Sequence, residues 1–405
     1  MSVAIYLDHA ATTPMPAEVV ASYVEALALV GNPSSIHTQG QAARRILEDA
    51  RDVVARSVTA DSVEVTFTSG GTESINLAIK GMFWSRNPTT ETVVGAGVAE
   101  TARNGRFPQL QRARILSTRA EHHATIDALE WLEHHEGAVI DWIPVDSVGR
   151  IDLNALTAAL GEDVALVTTL WANNEVGTIQ PVAEIAALAA EHGVPVHCDA
   201  VGAYGSMEID FASSGLAALS LSAHKVGGPV GVGALVIARS ASVIPLIHGG
   251  NQQRARSGTQ DAAGAHAFAT AVSMCRSPRP QLRDHLIKGV QSAVPDAVLR
   301  GNPVERLPGN VHFTFPGCEG DSLLFLLDAA GFSVSTGSAC QAGVPEPSHV
   351  LLAMGLDEHT SRGALRMTLG PDTTREQVDA FIAALPDAVA RARGAGFADR
   401  TPTIR

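Results

Sequence analysis

At 405 residues the chain is longer than single hydrophobic cores usually grow, so two or three domains are expected. Apolar residues at 45% and charged residues at 18% exclude a disordered chain and leave enough material for a buried sheet without disulfide staples. A formal charge of -13 argues against direct nucleic-acid binding as the main activity, because that needs clustered Lys and Arg to displace counterions, and it fits an acidic enzyme of the cytoplasm.

The opening MSVAIYLDHAATTP lacks a basic stretch followed by a long apolar one, and no uncharged apolar run reaches about 18 residues further on. Neither export nor membrane insertion is therefore expected. From about Val63 to Arg239, short β-branched runs alternate with amphipathic stretches, the pattern of a parallel sheet with crossover helices. Strands are predicted at Val63 to Thr68, Arg114 to Thr118, Val164 to Leu170, Val194 to Cys198, Leu216 to Leu221 and Val232 to Ala238. Helices are predicted at Glu73 to Lys80, Ala124 to His135, Leu153 to Leu160 and Val182 to His192. Arg86 to Gln111 shows little periodicity and reads as a surface insertion.

A helix over Asp261 to Cys275 then leads into a more mixed block. Its predicted strands are Val311 to Phe315, Phe332 to Ser335 and Ala364 to Thr368, and its helices Asp321 to Ala330 and Thr374 to Arg393, with a frayed tail after Gly394. The expected fold is α/β, with a large domain over 16–259 built on a mostly parallel central sheet flanked by helices. Residues 1–15 and 260–405 are expected to form a smaller α+β domain.

Open α/β sheets bind ligands beyond the carboxyl ends of their strands. Polar clusters follow five of the six predicted strands of the first block: Ser69-Gly70-Gly71-Thr72, Glu121-His122, Asn173-Asn174, Asp199 and Ser222-Ala223-His224-Lys225. In TSGGTES the glycines let backbone N–H groups approach an anion and Thr72 adds a hydroxyl, although an ordinary capped helix start has the same look. Neither Walker A nor GxGxxG spacing occurs, which disfavours a nucleotide. Asp199 closes the apolar run VPVHCD, where an unpaired carboxylate is costly; a protonated pyridine nitrogen would satisfy it, as would a turn cap. Lys225 precedes GGPVGVGALV, a crowded turn in which a desolvated amine has a lowered pKa and becomes a nucleophile or base. Cradle, buried Asp and turn Lys together describe a pyridoxal-phosphate site.

His122 is a candidate for stacking on a flat cofactor or a simple helix-start residue, and Arg366 in ALRMTLG is either a bidentate carboxylate clamp or half of a surface ion pair. No HExxH or zinc-spaced Cys/His pair occurs, so no metal site is expected. The four cysteines are too few and too scattered for a disulfide framework. Cys198, Cys275 and Cys318 lie in or beside apolar elements, whereas Cys340, in STGSACQAGVPEPSH, has small, Gly and Pro neighbours that suit a mobile loop and a reactive thiol.

The segments YLDHAATTP, GNPSSIH, TSGGTES, ANNEVG, SAHKVGGPVGVGAL, RSGT, STGSAC and LRMTLG follow one another over nearly the whole chain. In order and approximate spacing they resemble the signatures of the cysteine desulfurases, pyridoxal-phosphate enzymes of fold type I in the class-V aminotransferase family. The resemblance implies that Lys225 holds the cofactor covalently, Asp199 pairs with the pyridine nitrogen and His122 stacks on the ring and assists catalysis. Gly71, Thr72, Ser222 and His224 would hold the phosphate, and Thr259 would reach it from a partner subunit, making a homodimer. Asn174 would contact cofactor and substrate, Arg366 the carboxylate of L-cysteine, and Cys340 would accept the sulfur.

The STGSAC loop is similar to that of group I, whose members serve iron–sulfur cluster assembly and tRNA thiolation, so the implied partner is a scaffold protein or a tRNA-thiolating enzyme. Cys340 would then also be a contact for a transferred iron–sulfur cluster. One departure stands out: three residues after Asp199 the family usually has a Gln, and this chain has Gly202. A selenocysteine lyase, an aminotransferase or an epimerase would reuse the Lys, Asp and cradle, and a non-catalytic protein that kept the fold is the reading from another class.

Overall fold

The computed structural model describes residues 4–88, 110–337 and 346–394. In chain order its strands are β1 (Ile5–Tyr6), β2 (Val65–Thr68), β3 (Arg114–Thr118), β4 (Val139–Ile143), β5 (Val164–Leu170), β6 (Val196–Asp199), β7 (Ala218–Ser222), β8 (Gly233–Ile237), β9 (Val298–Leu299), β10 (Asn310–Thr314), β11 (Phe332–Ser333) and β12 (Ala364–Thr368). Seven of them form the central sheet, in the order β2-β8-β7-β6-β5-β3-β4. The pairs from β4 to β7 across the sheet are parallel, and β8 alone runs against both of its neighbours. Every residue of β5, β6, β7 and β8 is buried, as a sheet covered on both faces requires.

The predicted strands of this sheet are present within two residues at each end, and the structure adds β4. Its sequence, VIDWI, carries a charge in mid-strand that is tolerable because β4 is an edge and Asp141 accepts from Arg114 Nε of β3 at 2.8 Å. Three long helices were also unmarked, Ala17–Leu27, Thr38–Arg56 and Pro280–Ala293, as were the short ones Phe211–Ser214, His349–Ala353 and Glu358–Arg362. The second places Ala43, Leu47, Ala50 and Val54 on one buried stripe, and the Ala-rich helix Ala262–Met274 packs against it and against Ala17–Leu27. Arg86, expected in the surface insertion, is instead the last residue of the helix Gly71–Arg86; residues 89–109 lie outside the described residues, as do 395–405.

A second sheet, β12-β10-β9, is antiparallel. It packs with the helices Pro280–Ala293, Gly320–Ala329 and Arg375–Gly394 around Leu286, Phe313, Phe315, Leu323, Phe381 and Leu385. The N-terminal residues are tied to this core: β1 pairs with β11, Leu7 is fully buried in it and Asp8 bridges to Thr368. Residues 8–13 thus run from the second core back towards the edge of the first sheet, where Thr13 N–H bonds the carbonyl of His224 at 3.0 Å.

Candidate active site

Because β8 is reversed, β2 and β7 point the same way as β3, β5 and β6, and all five polar clusters emerge at one edge of the sheet. Register fixes their spacing, with Leu170 opposite Asp199, Asp199 opposite Ser220, and Gly233 between Ser222 and Thr68.

At one end stands the N-terminus of the helix Gly71–Arg86. Its N-cap, Gly70, has φ +143°, a conformation that favours glycine, and it leaves the first turn without a side-chain cap. A Cβ on Gly71 would lie 2.8 Å from Val201 Cγ2 and 3.7 Å from Ser222 Cβ, so helix start, Val201 and Ser222 close around one small space. The Ser222 hydroxyl is buried and has no hydrogen-bond partner among the described residues. A buried orphan hydroxyl beside an uncapped helix N-terminus is what a phosphate would satisfy. Thr72 is exposed in that first turn.

Asp199 is 3% exposed at the end of β6 and accepts from Val201 N–H at 2.9 Å. Burial pushes its carboxyl up to about 6, against the pull of that N–H and of Lys225. The sequence drew no role for Glu121, also buried; burial first, and then the charge of Asp199, push it up to about 8, although Thr118 Oγ1 donates to it at 3.0 Å. A cationic ring nitrogen is the partner this acidic floor calls for.

His122 caps the helix His123–Glu136: its Nδ1 accepts from Ala124 N–H at 3.1 Å, which assigns the ring proton to Nε2. Burial, with Lys225, His123 and His349 adding to it, lowers its pKa to about 4, so near neutrality it is an uncharged flat ring. His224 Nδ1 lies 3.3 Å from Thr12 Oγ1, and burial followed by Lys225 lowers its pKa to about 4 as well.

Lys225 lies in the single turn Ala223–Val226 that follows β7. Its Nζ donates to the carbonyls of Ala10 and Ala11 at 2.5 and 3.0 Å, while burial and then Arg366 lower its pKa to about 8, opposed by Asp199 and Asp8. Arg366 is 5% exposed on β12; it donates to the Asn174 carbonyl at 3.0 Å and pairs with Asp8 at 2.9 Å, and its Nε has no partner among the described residues. It is thus no surface ion pair.

Thr259 is exposed and forms no hydrogen bond with these residues. Cys340 lies outside the described residues, but both flanks of its segment reach the site. Ser335 pairs with Arg366, Ser348 donates to the buried carboxylate of Glu175, and His349 Nε2 lies 2.8 Å from the carbonyl of Glu121. A cavity of about 740 Å³ adjoins Lys225, Asn174 and Gly202 and reaches Tyr204 and Cys275; Gly71, His122, Asp199 and Ser222 are not in its wall. Among the described residues no group of three His, Cys, Asp or Glu side chains is placed to hold a metal ion, and no helix is long and apolar enough to cross a membrane.

The small space at Ser222 and the uncapped helix start, the buried Asp199 and the desolvated Lys225 fit the phosphate, ring nitrogen and aldehyde of pyridoxal phosphate. The family model for class-V aminotransferases matches residues 5–104 and 98–381. The chain belongs to this family. Within class V it groups with the cysteine desulfurases: it is 48% identical to an IscS-like cysteine desulfurase of Mycobacterium tuberculosis, over 97% of this chain and 98% of that one. It is 38% identical to cysteine desulfurase IscS of Dictyoglomus turgidum, over 93% and 92%. Among solved structures, a NifS-like protein superposes with a TM-score of 0.84 at 31% identity, over 96% of this chain and 100% of that one. The structure described as SspA in complex with cysteine superposes at 0.76 and 29%, over 91% and 100%.

Proposed function

We infer that this chain is a cysteine desulfurase, converting L-cysteine to L-alanine and passing the sulfur to Cys340 as a persulfide. The observation that carries the reading is the meeting, at one sheet edge, of an orphaned buried Ser222 hydroxyl, an uncapped helix start, a buried Asp199 and a desolvated Lys225. When bound, pyridoxal phosphate supplies an electron sink for the carbon that bears the substrate amine. Gly71, Thr72, Ser222 and His224 hold its phosphate, Asp199 its ring nitrogen, and Asn174 and His122 flank it.

Lys225, with its lowered pKa, carries the covalent link and afterwards takes the proton from the substrate α-carbon. Arg366 binds the substrate carboxylate through its planar fork. His122, neutral with its proton on Nε2, stacks on the ring and assists as a hydrogen-bond donor through that N–H, without placing a second positive charge beside Lys225. The Cys340 thiolate attacks the substrate sulfur; a sulfur–sulfur bond forms, the carbon–sulfur bond breaks, and its electron pair stays with the carbon fragment, which is protonated and leaves as alanine.

A second copy of the chain completes the site by bringing its own Thr259. Support for such a homodimer comes from apolar side chains left outside on and after the first helix: Val24 is 60% exposed, Val30 84% and Ile36 91%. The persulfide goes on to an iron–sulfur scaffold or a tRNA-thiolating enzyme in the cytoplasm, with Cys340 also a contact for a transferred cluster. Incubating the holoenzyme with L-cysteine and a thiol reductant tests the reading. Equal amounts of alanine and sulfide are expected, with C340S binding L-cysteine yet releasing no sulfide; a keto acid would make the chain an aminotransferase, and sulfide from C340S at the wild-type rate would remove Cys340 from the chemistry.

A further inference from the structure

His312 is fully buried on β10, and neither of its ring nitrogens has a hydrogen-bond partner among the described residues. Buried polar atoms without a partner are few in native proteins, and a catalytic role or a bound water or ion is among the reasons for them. The register places this ring. Arg366 sits between two cross-strand partners, His312 on β10 and Ser335 on the other side, so Ser335, Arg366 and His312 form one row with their side chains on a single face. Next to the ring is Gly337, whose Cβ would lie 3.5 Å from His312 Nε2 and 3.4 Å from Glu175 Oε2.

Within this row the unpaired atoms belong to donors or to groups able to donate: both nitrogens of His312 and Nε of Arg366. Nearby Arg306, 3% exposed, leaves Nε and Nη1 unpaired among the described residues. Burial, followed by the charges of Arg366, Arg306 and Arg300, holds the imidazole neutral, with one N–H to give. Asp8 already pairs with Arg366 and the nearby Glu175 carboxylate accepts from Ser348, so the donors left free are those a further small anion would use, and a planar carboxylate matches a guanidinium edge flanked by an N–H.

We propose that His312 is a second binding residue for the substrate carboxylate, donating its ring N–H to the oxygen that Arg366 leaves free. The inference rests on the reading of Arg366 as the carboxylate clamp. It makes the site selective for α-amino acids over amines, because an amine without a carboxylate gains nothing from His312.

The test compares L-cysteine with cysteamine, which keeps the thiol and amine and lacks the carboxylate, by titrating holoenzyme absorbance and by steady-state kinetics. H312F is expected to weaken L-cysteine about tenfold relative to cysteamine, mainly in KM, and H312N, which keeps a side-chain N–H, to recover most of that loss. Unchanged discrimination in H312F, whether both ligands bind as in wild type or both bind worse, would overturn the proposal. Should H312F fail to fold, wild-type holoenzyme labelled with 15N-histidine gives the answer: the ring N–H signal of His312 moves on adding L-alanine and not ethylamine, and no difference between the two refutes the role. R366Q separates this inference from its premise, since discrimination lost in R366Q but kept in H312F removes His312 alone, and discrimination kept in both removes the carboxylate site.

Discussion

Removing the Ser222 hydroxyl tests the phosphate cradle in a way that an ordinary structural serine could not mimic. In the cofactor-free protein this oxygen is buried with no partner, and such a group costs about 1–3 kcal/mol of desolvation that nothing returns. S222A should therefore leave the cofactor-free protein as stable as wild type, or slightly more so. With cofactor bound, the hydroxyl donates to a charged phosphate oxygen, a bond that contributes about 1.5–3 kcal/mol, so its loss should raise the cofactor dissociation constant about 10- to 150-fold. Thermal melting with and without pyridoxal phosphate, alongside a spectrophotometric titration, reads both effects. The gap between the two melting temperatures should shrink in S222A, because stabilisation by a ligand scales with how far its concentration exceeds the dissociation constant. A cofactor-free S222A protein that melts well below wild type while binding the cofactor unchanged would refute the cradle.

Two further outcomes follow from the perturbed ionisations. Capture of the cofactor needs a neutral amine, and with its pKa lowered to about 8 by burial and Arg366, Lys225 should react about ten times faster at pH 9 than at pH 7 and level off above that; a rate still climbing steeply past pH 10 would mean an ordinary lysine. Glu121 has a folded-state pKa of about 8 against an ordinary 4.5, so the folded protein keeps a proton the unfolded chain has released, and the stability tied to it is complete below about 4.5 and lost as pH rises to about 8. E121Q cannot titrate, so the melting temperature of its cofactor-free form should vary less than wild type between pH 5 and pH 8; parallel profiles would show Glu121 to be ionised already.

The parts of the fold legible in the sequence are those whose residues answer to one dominant force. VALVTTL must be a strand covered on both faces, and β5 is buried along its whole length. The edge strand β4 was hidden because Asp141 interrupts its pattern, and only the partner strand's Arg114 explains that charge. The helix Ala17–Leu27 was hidden by apolar residues on its outer side, Val20, Val24 and Leu27, which blur the stripe a lone amphipathic helix would show.

Lys225, Asp199 and Ser222 could be read because position after a strand predicts convergence at a sheet edge. Arg366 was legible as a residue, but its pairing with Asp8 and with the Asn174 carbonyl depends on chain segments that meet only in three dimensions. The same holds for Glu121, His312 and His349. Nothing local marks a polar residue as fully enclosed, and in VHFTF the histidine looks like any half-exposed strand position until β12 and Gly337 close over it.

Reduction of the purified enzyme with borohydride, followed by digestion and mass spectrometry, tests the central claim most directly. The pyridoxyl mass should appear on the peptide containing Lys225, and K225A should carry none. Label on another lysine, or a wild-type protein that takes up no cofactor, would contradict the account.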